Sequence, residues 1–135
     1  MYTARLRERI PSASVVGSAW LPNWILVCNK LGQDGSAKAN IVRRQGAIVH
    51  GVTYTLNTGD FETLDRIEGG YQRETMQVYS ARHVSVEVET YVAVQLTTQP
   101  MPLSWYKDYI LAGAREHALP GEYLNFLDQL PQLEE

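Results

Sequence analysis

A chain of 135 residues fits one domain with a core of its own. Its 44% hydrophobic and 20% charged residues are ordinary for a globular protein, and a net charge of −3 gives no electrostatic footprint for nucleic acid. The single cysteine excludes an internal disulfide framework and suits a reducing compartment, and there is neither a signal peptide nor an apolar stretch of transmembrane length, so the expected location is cytoplasmic.

Near the start, Arg5, Arg7 and Arg9 are interrupted by Glu8 and carry no interleaved aromatics, so they read as a solvated face. Strands then dominate the first two thirds. Runs over 14–20 and 24–28 are separated by Leu21-Pro22-Asn23, a turn signal. Cys28 closes the second, apolar run and reads as a buried structural thiol rather than a nucleophile. Gly32 to Ser36 has no helical pattern behind it and predicts a turn before a strand over 39–43. A further strand is expected over 47–56. Asn57 or Thr58 can cap a helix from about 59 to 67, with Phe61, Leu64 and Ile67 as its buried stripe. Tyr71 to Tyr79 returns as a strand.

Residues 84–96 alternate, with Val84, Val86, Val88, Val92, Val94 and Leu96 on one face and Glu87, Glu89, Tyr91 and Ala93 on the other. After Pro100 and Pro102 the spacing of Leu103, Tyr106, Ile110, Gly113 and His117 is helical. Pro120 opens a last helix with Tyr123, Leu124, Leu127 and Leu130 inward. There is no repeat or linker, and residues 1–135 read as one domain. The pattern predicts an α+β fold: a small mixed β-barrel, closed or nearly so, with one helix before the loop that carries Glu68 and C-terminal helices packed outside.

The chemistry concentrates at Leu64 to Arg73. A helix ends on Glu68, Gly69 and Gly70 stop it, and a strand starts at Tyr71. The helix dipole disfavours an ionised carboxylate at that end, and shielding from water raises its pKa toward a value useful for proton transfer. Ordinary capping produces the same local pattern. His50, His83 and His117 lie far apart in sequence, so no metal is expected. Neither a nucleophile elbow nor a phosphate-binding glycine loop is present. What remains is one acid/base carboxylate, several tyrosines and no cofactor, a set that suits a reaction whose nucleophile comes with the substrate.

Several segments, in order, resemble the γ-glutamylcyclotransferase family, AIG2-like members included. They are Arg5 to Ala13; Asn29-Lys30 with Asp34 to Ile41; Gly51-Val52-Thr53-Tyr54; Leu64-Asp65-x-x-Glu68-Gly69; and Tyr106-Lys107 through Gly113-Ala114-x-Glu116-His117-x-Leu119-Pro120-x-Glu122-Tyr123. The resemblance implies conversion of a γ-glutamyl amino acid or amine into 5-oxoproline and a free amine, without cofactor. It makes Glu68 the base, and places Tyr71, Tyr91 and Tyr106 at positions that wall the substrate pocket. Tyrosines at such places also simply pack. Tyr91 is favoured because alternation sets it opposite the valine face. The C-terminal match leans toward γ-glutamyl amino acids.

In the resembled family a strand leads into Tyr-Gly-Ser-Asn ahead of the segment matched from about residue 2, and that loop offers N–H groups to the substrate. This tetrapeptide does not occur in the 135 residues. The expectation is a misassigned or trimmed start, impaired activity, and an exposed sheet edge that leaves a homodimer open. Two other readings stand beside the enzyme: a non-catalytic binding or dimerisation domain that keeps the barrel, and a purely structural one.

Overall fold

The computed structural model describes residues 3–133. Two long strands, β1 (Ser14–Leu31) and β2 (Ala37–Thr55), form its main hairpin. Leu21-Pro22-Asn23 does not turn the chain, contrary to the sequence expectation. It makes a bulge between the pairs Pro22↔Ile48 and Trp24↔Arg43. Pro22 has no N–H for the ladder. Asn23 takes φ 66° opposite Gly46 at φ 83°, and Asn23 Oδ1 accepts the Gly46 N–H at 3.0 Å. Residues 14–22 therefore pair with 48–55, and residues 24–31 with 37–43. The bent hairpin serves two cores. Its first part packs Ala19 and Leu21 against Val78, and its second packs Leu26 against the C-terminal helices.

β3 (Tyr71–Ser80) and β4 (Ser85–Ala93) form a second hairpin, giving an antiparallel sheet of order β2-β1-β3-β4. The hairpins join through only two pairs, Ala19↔Ser80 and Trp20↔Tyr79, where Trp20 stacks on Tyr79 at 4.6 Å. At one end the edge strands β2 and β4 are drawn together by Asn40. Its Oδ1 accepts the Ala93 N–H and its Nδ2 donates to Asn29 Oδ1, both at 2.8 Å. At the other end they diverge. The expected barrel is open there, leaving a cleft of about 590 Å³ with Val52, Tyr54, Phe61, Val86, Val88 and Tyr91 among its walls. On the alternating valine face, Val84, Val86 and Val94 are exposed.

The helices α1 (Thr3–Arg9), α2 (Asp60–Ile67), α3 (Ser104–Glu116) and α4 (Gly121–Asp128) complete an α+β fold. α1 lacks a clear apolar period, but its Ala, Arg and Leu content favours helix. Thr3 Oγ1 lies 3.1 Å from the Tyr54 hydroxyl and 3.0 Å from His117 Nε2, tying α1 to β2 and to the end of α3. α2 starts differently from expectation. No side chain caps it, and the turn is held by Asp60 N–H to Asn57 O at 2.9 Å. Its stripe is only half-buried, with Phe61 and Leu64 facing the cleft and Ile67 exposed. α3 and α4 form the tighter core of Leu111, Ala114, Leu119, Tyr123 and Leu127. Buried Lys107 donates to the carbonyls of Asp128 and Leu130, satisfying the end of α4. Among the described residues no helix is long and apolar enough to cross a membrane.

Candidate active site

The end of α2 aims one carboxylate into the fold. Glu68 N–H donates to Leu64 O at 2.8 Å, and Glu68 O accepts the Tyr71 N–H at 3.1 Å, so the chain reverses directly into β3. Gly70 makes the reversal possible at φ 85°. Its carbonyl accepts the Val94 N–H at 2.8 Å, pinning the turn to the segment that follows β4. A Cβ on Gly70 would stand 2.7 Å from Lys30 Cε and 3.1 Å from Gln95 Oε1. Gly70→Ala therefore combines a left-handed backbone penalty with displacement of Lys30. We expect it to lower unfolding free energy by about 1–3 kcal/mol, read by denaturant titration; a loss inside experimental error would show that the turn relaxes.

Glu68 is half-buried, and burial raises its carboxyl above the ordinary range. Arg9, Lys30 and Arg5 pull the other way and only partly offset it. None of the three forms an ion pair with Glu68 among the described residues. The result is a carboxylate ringed by cations at a distance.

Tyr71 and Tyr106 grip one peptide of β2: the Tyr71 hydroxyl donates to Ala39 O at 2.6 Å, and Ala39 N–H donates to the Tyr106 hydroxyl at 3.0 Å. Burial raises both hydroxyls, and the charge of Glu68 adds to the effect. Tyr91 is also raised, first by burial and then by its bond to Asp65. Its hydroxyl donates to Asp65 Oδ1 at 2.5 Å, an oxygen that Arg73 Nε approaches at 3.4 Å. The three tyrosines singled out from sequence thus all lie within the field of Glu68, in two different settings. Tyr71 and Tyr106 form a clamp beside it, whereas Tyr91 is a wall of the large cleft and Glu68 is not.

The cations are the part that sequence reading misses. Arg5 is not solvated as expected: its guanidinium lies 4.8 Å from the Tyr109 ring centroid and 5.7 Å from that of Trp105. Arg7 Nε donates to Ala13 O at 2.9 Å, and the charge of Arg9 acts on Glu68. The Lys30 ammonium lies 5.1 Å from the Tyr71 ring centroid. A lysine inside an apolar strand run is the one local signal that could have marked it. Cys28 is a buried thiol pushed up to about 11 by burial, which keeps it unreactive. Among the described residues no three of His, Cys, Asp and Glu converge to hold a metal. The arrangement can exchange a proton at a shielded carboxyl, between aromatic walls, with positive charge close by.

A family model for the AIG2-like family matches residues 48–127, more than half of the chain, Glu68 included. No curated protein sequence matches significantly. Among solved structures, a "Gamma-glutamyl cyclotransferase" superposes with TM-score 0.92 at 25% identity, covering 98% of this chain and 83% of its own. The uncharacterized protein loc79017 from Homo sapiens gives TM-score 0.93 at 26% identity, covering 99% and 84%. YkqA from Bacillus subtilis, with TM-score 0.77 at 19% identity, covers 97% of this chain and 50% of its own and shares the fold.

Proposed function

This chain belongs to the AIG2-like family, and on that premise we propose that it is an enzyme of the γ-glutamylcyclotransferase type. The α-amine of a γ-glutamyl amino acid or amine attacks its own γ-carbonyl. The new N–C bond closes a five-membered ring, the bond to the departing amine breaks, and 5-oxoproline and a free amine result. Both reacting groups sit in one molecule, so selecting the folded conformer supplies much of the rate. Glu68 takes the proton from the attacking amine and returns it to the leaving one. Tyr71, Tyr91 and Tyr106 wall the substrate.

The observation that carries this reading is Glu68 itself. It is a shielded carboxyl at a helix end, raised by burial and free of any close ion pair among the described residues. A structural acid would be expected to pair with one of its three cations. No cofactor enters the reaction. The single buried thiol fits a cytoplasmic setting. Release of 5-oxoproline from a γ-glutamyl dipeptide, compared between the wild type and Glu68→Gln, is the direct test.

The open cleft favours a second reading, a non-catalytic dimerisation domain. β2 and β4 present unpaired edges to it, and an unpaired edge is a template for another strand. A second copy is the occupant that reading commits to. It expects a dimer in light scattering, and a monomer with unchanged unfolding for Val86→Lys. A wild type that is monomeric at high micromolar concentration removes it.

A further inference from the structure

The sequence contains three lysines, all held in or near the core. Two have polar partners. Lys107 donates to two carbonyls, and Lys38 lies 3.4 Å from Asp34 Oδ2 and 3.3 Å from Ser36 Oγ. Lys30 is 8% exposed, and its ammonium has neither a hydrogen bond nor an ion pair among the described residues. Its ammonium meets only the ring face of Tyr71. Taking an ammonium out of water without an acceptor is costly, and an orphaned buried polar group calls for a cause.

Its position supplies one. Lys30 closes against Gly70, two residues after Glu68, with its Cε 2.7 Å from where a Cβ on Gly70 would stand. It acts on Glu68 through charge but stays beyond ion-pair distance of it. The orphan cation and the shielded carboxyl therefore bring opposite charges to one turn, Lys30 against Gly70 and Glu68 two residues before it. A ligand suited to this pair carries an anion and an amine on one carbon, and a γ-glutamyl group does so at its α-carbon.

We propose that Lys30 is the carboxylate-recognition residue of the site: its ammonium receives the α-carboxylate of the γ-glutamyl group, which turns the α-amine toward Glu68. This rests on the cyclotransferase reading for the identity of the ligand. It assigns Lys30 to specificity and positioning, and proton transfer stays with Glu68.

The test separates binding from turnover. Calorimetry measures 5-oxoproline, which keeps the carboxylate, against 2-pyrrolidinone, which lacks it, for the wild type, Lys30→Met and Lys30→Arg. The wild type is expected to prefer 5-oxoproline at least tenfold, about 1.4 kcal/mol for one charge-assisted hydrogen bond. Lys30→Met should erase the preference, and Lys30→Arg should keep most of it. In turnover, Lys30→Met should raise KM at least tenfold and change kcat less. In case Lys30→Met does not fold, the Lys30 Nζ resonance of the wild type should shift with 5-oxoproline and not with 2-pyrrolidinone. Equal binding by the wild type and Lys30→Met, an absent preference in the wild type, or an unmoved resonance overturns the proposal. Lys30-dependent binding without 5-oxoproline formation would keep the subsite and remove the cyclotransferase reading. Turnover with a Lys30-independent KM would do the reverse.

Discussion

Glu68→Gln is expected to reduce 5-oxoproline release by about 10²- to 10⁴-fold, the usual contribution of a positioned acid/base group. Glutamine keeps the size of the side chain and can hydrogen-bond, but it cannot carry the proton between the two amines. Turnover unchanged by this substitution would take Glu68 out of the reaction. In the wild type, the acidic limb of the pH–rate profile should lie above the ordinary carboxylate range, because burial outweighs the pull of Arg9, Lys30 and Arg5.

The same substitution has a stability signature of the opposite sign. With its folded pKa raised, Glu68 binds more protons in the folded than in the unfolded state between the two values. Stability therefore falls as pH rises through that window, and the penalty is complete above the folded value. Glutamine does not carry this penalty. Glu68→Gln should unfold at a higher temperature than the wild type at neutral pH, and the gap should close as pH drops below the ordinary carboxylate range. Asp34, held at about 2 chiefly by its hydrogen bonds from Ser36, titrates in both proteins and cancels from the difference. A variant less stable than the wild type at neutral pH would mean that the carboxylate has a stabilising partner. Lost activity with gained stability is the pattern of a strained functional group.

Leu127→Ala should cost about 2–5 kcal/mol of unfolding free energy. Leu127 is fully buried between Leu26 of β1 and the helices α3 and α4, beside Leu111, Ala114 and Tyr123. Rigid neighbours on three elements leave the cavity little room to collapse. Against a total stability of about 5–15 kcal/mol this is a large share, and the unfolding midpoint should fall by on the order of 10 °C. A loss below about 1 kcal/mol would show that α4 is not part of the cooperative core. The effect bears on the site as well, because α3 carries Tyr106 to the backbone of Ala39.

How much was legible depends on how far apart the interacting residues lie. The alternation over 84–96 marks β4, and Pro120 with Leu124 and Leu127 marks α4, because each signal lies within one element. The end of α2 was legible for the same reason: two glycines after Glu68 stop a helix whatever surrounds it. The continuity of β1 was not. Pro22 and Asn23 form a turn signal by themselves, and they become a bulge only because Gly46, 23 residues later, donates to Asn23. The capping by Asn57 or Thr58 failed differently, since their backbone carbonyls, and not their side chains, accept the first N–H groups of the turn. Ser12, which follows α1 in the chain, braces that turn by accepting the Asn57 N–H and donating to Asp60.

The order of residues alone sets one carboxylate at a helix end beside two glycines, with no metal-ligand spacing near it and with segments around it that follow one family's order. Its surroundings come from the fold. Arg5 and Arg9 come from α1, Lys30 from β1, Tyr71 from β3 and Tyr106 from α3, and no local pattern announces their meeting. Helix ends follow from neighbouring residues along the chain. Burial and Coulomb fields are sums over neighbours in space, so the proton affinity of Glu68 and the solitude of Lys30 exist only once the strands and helices have met.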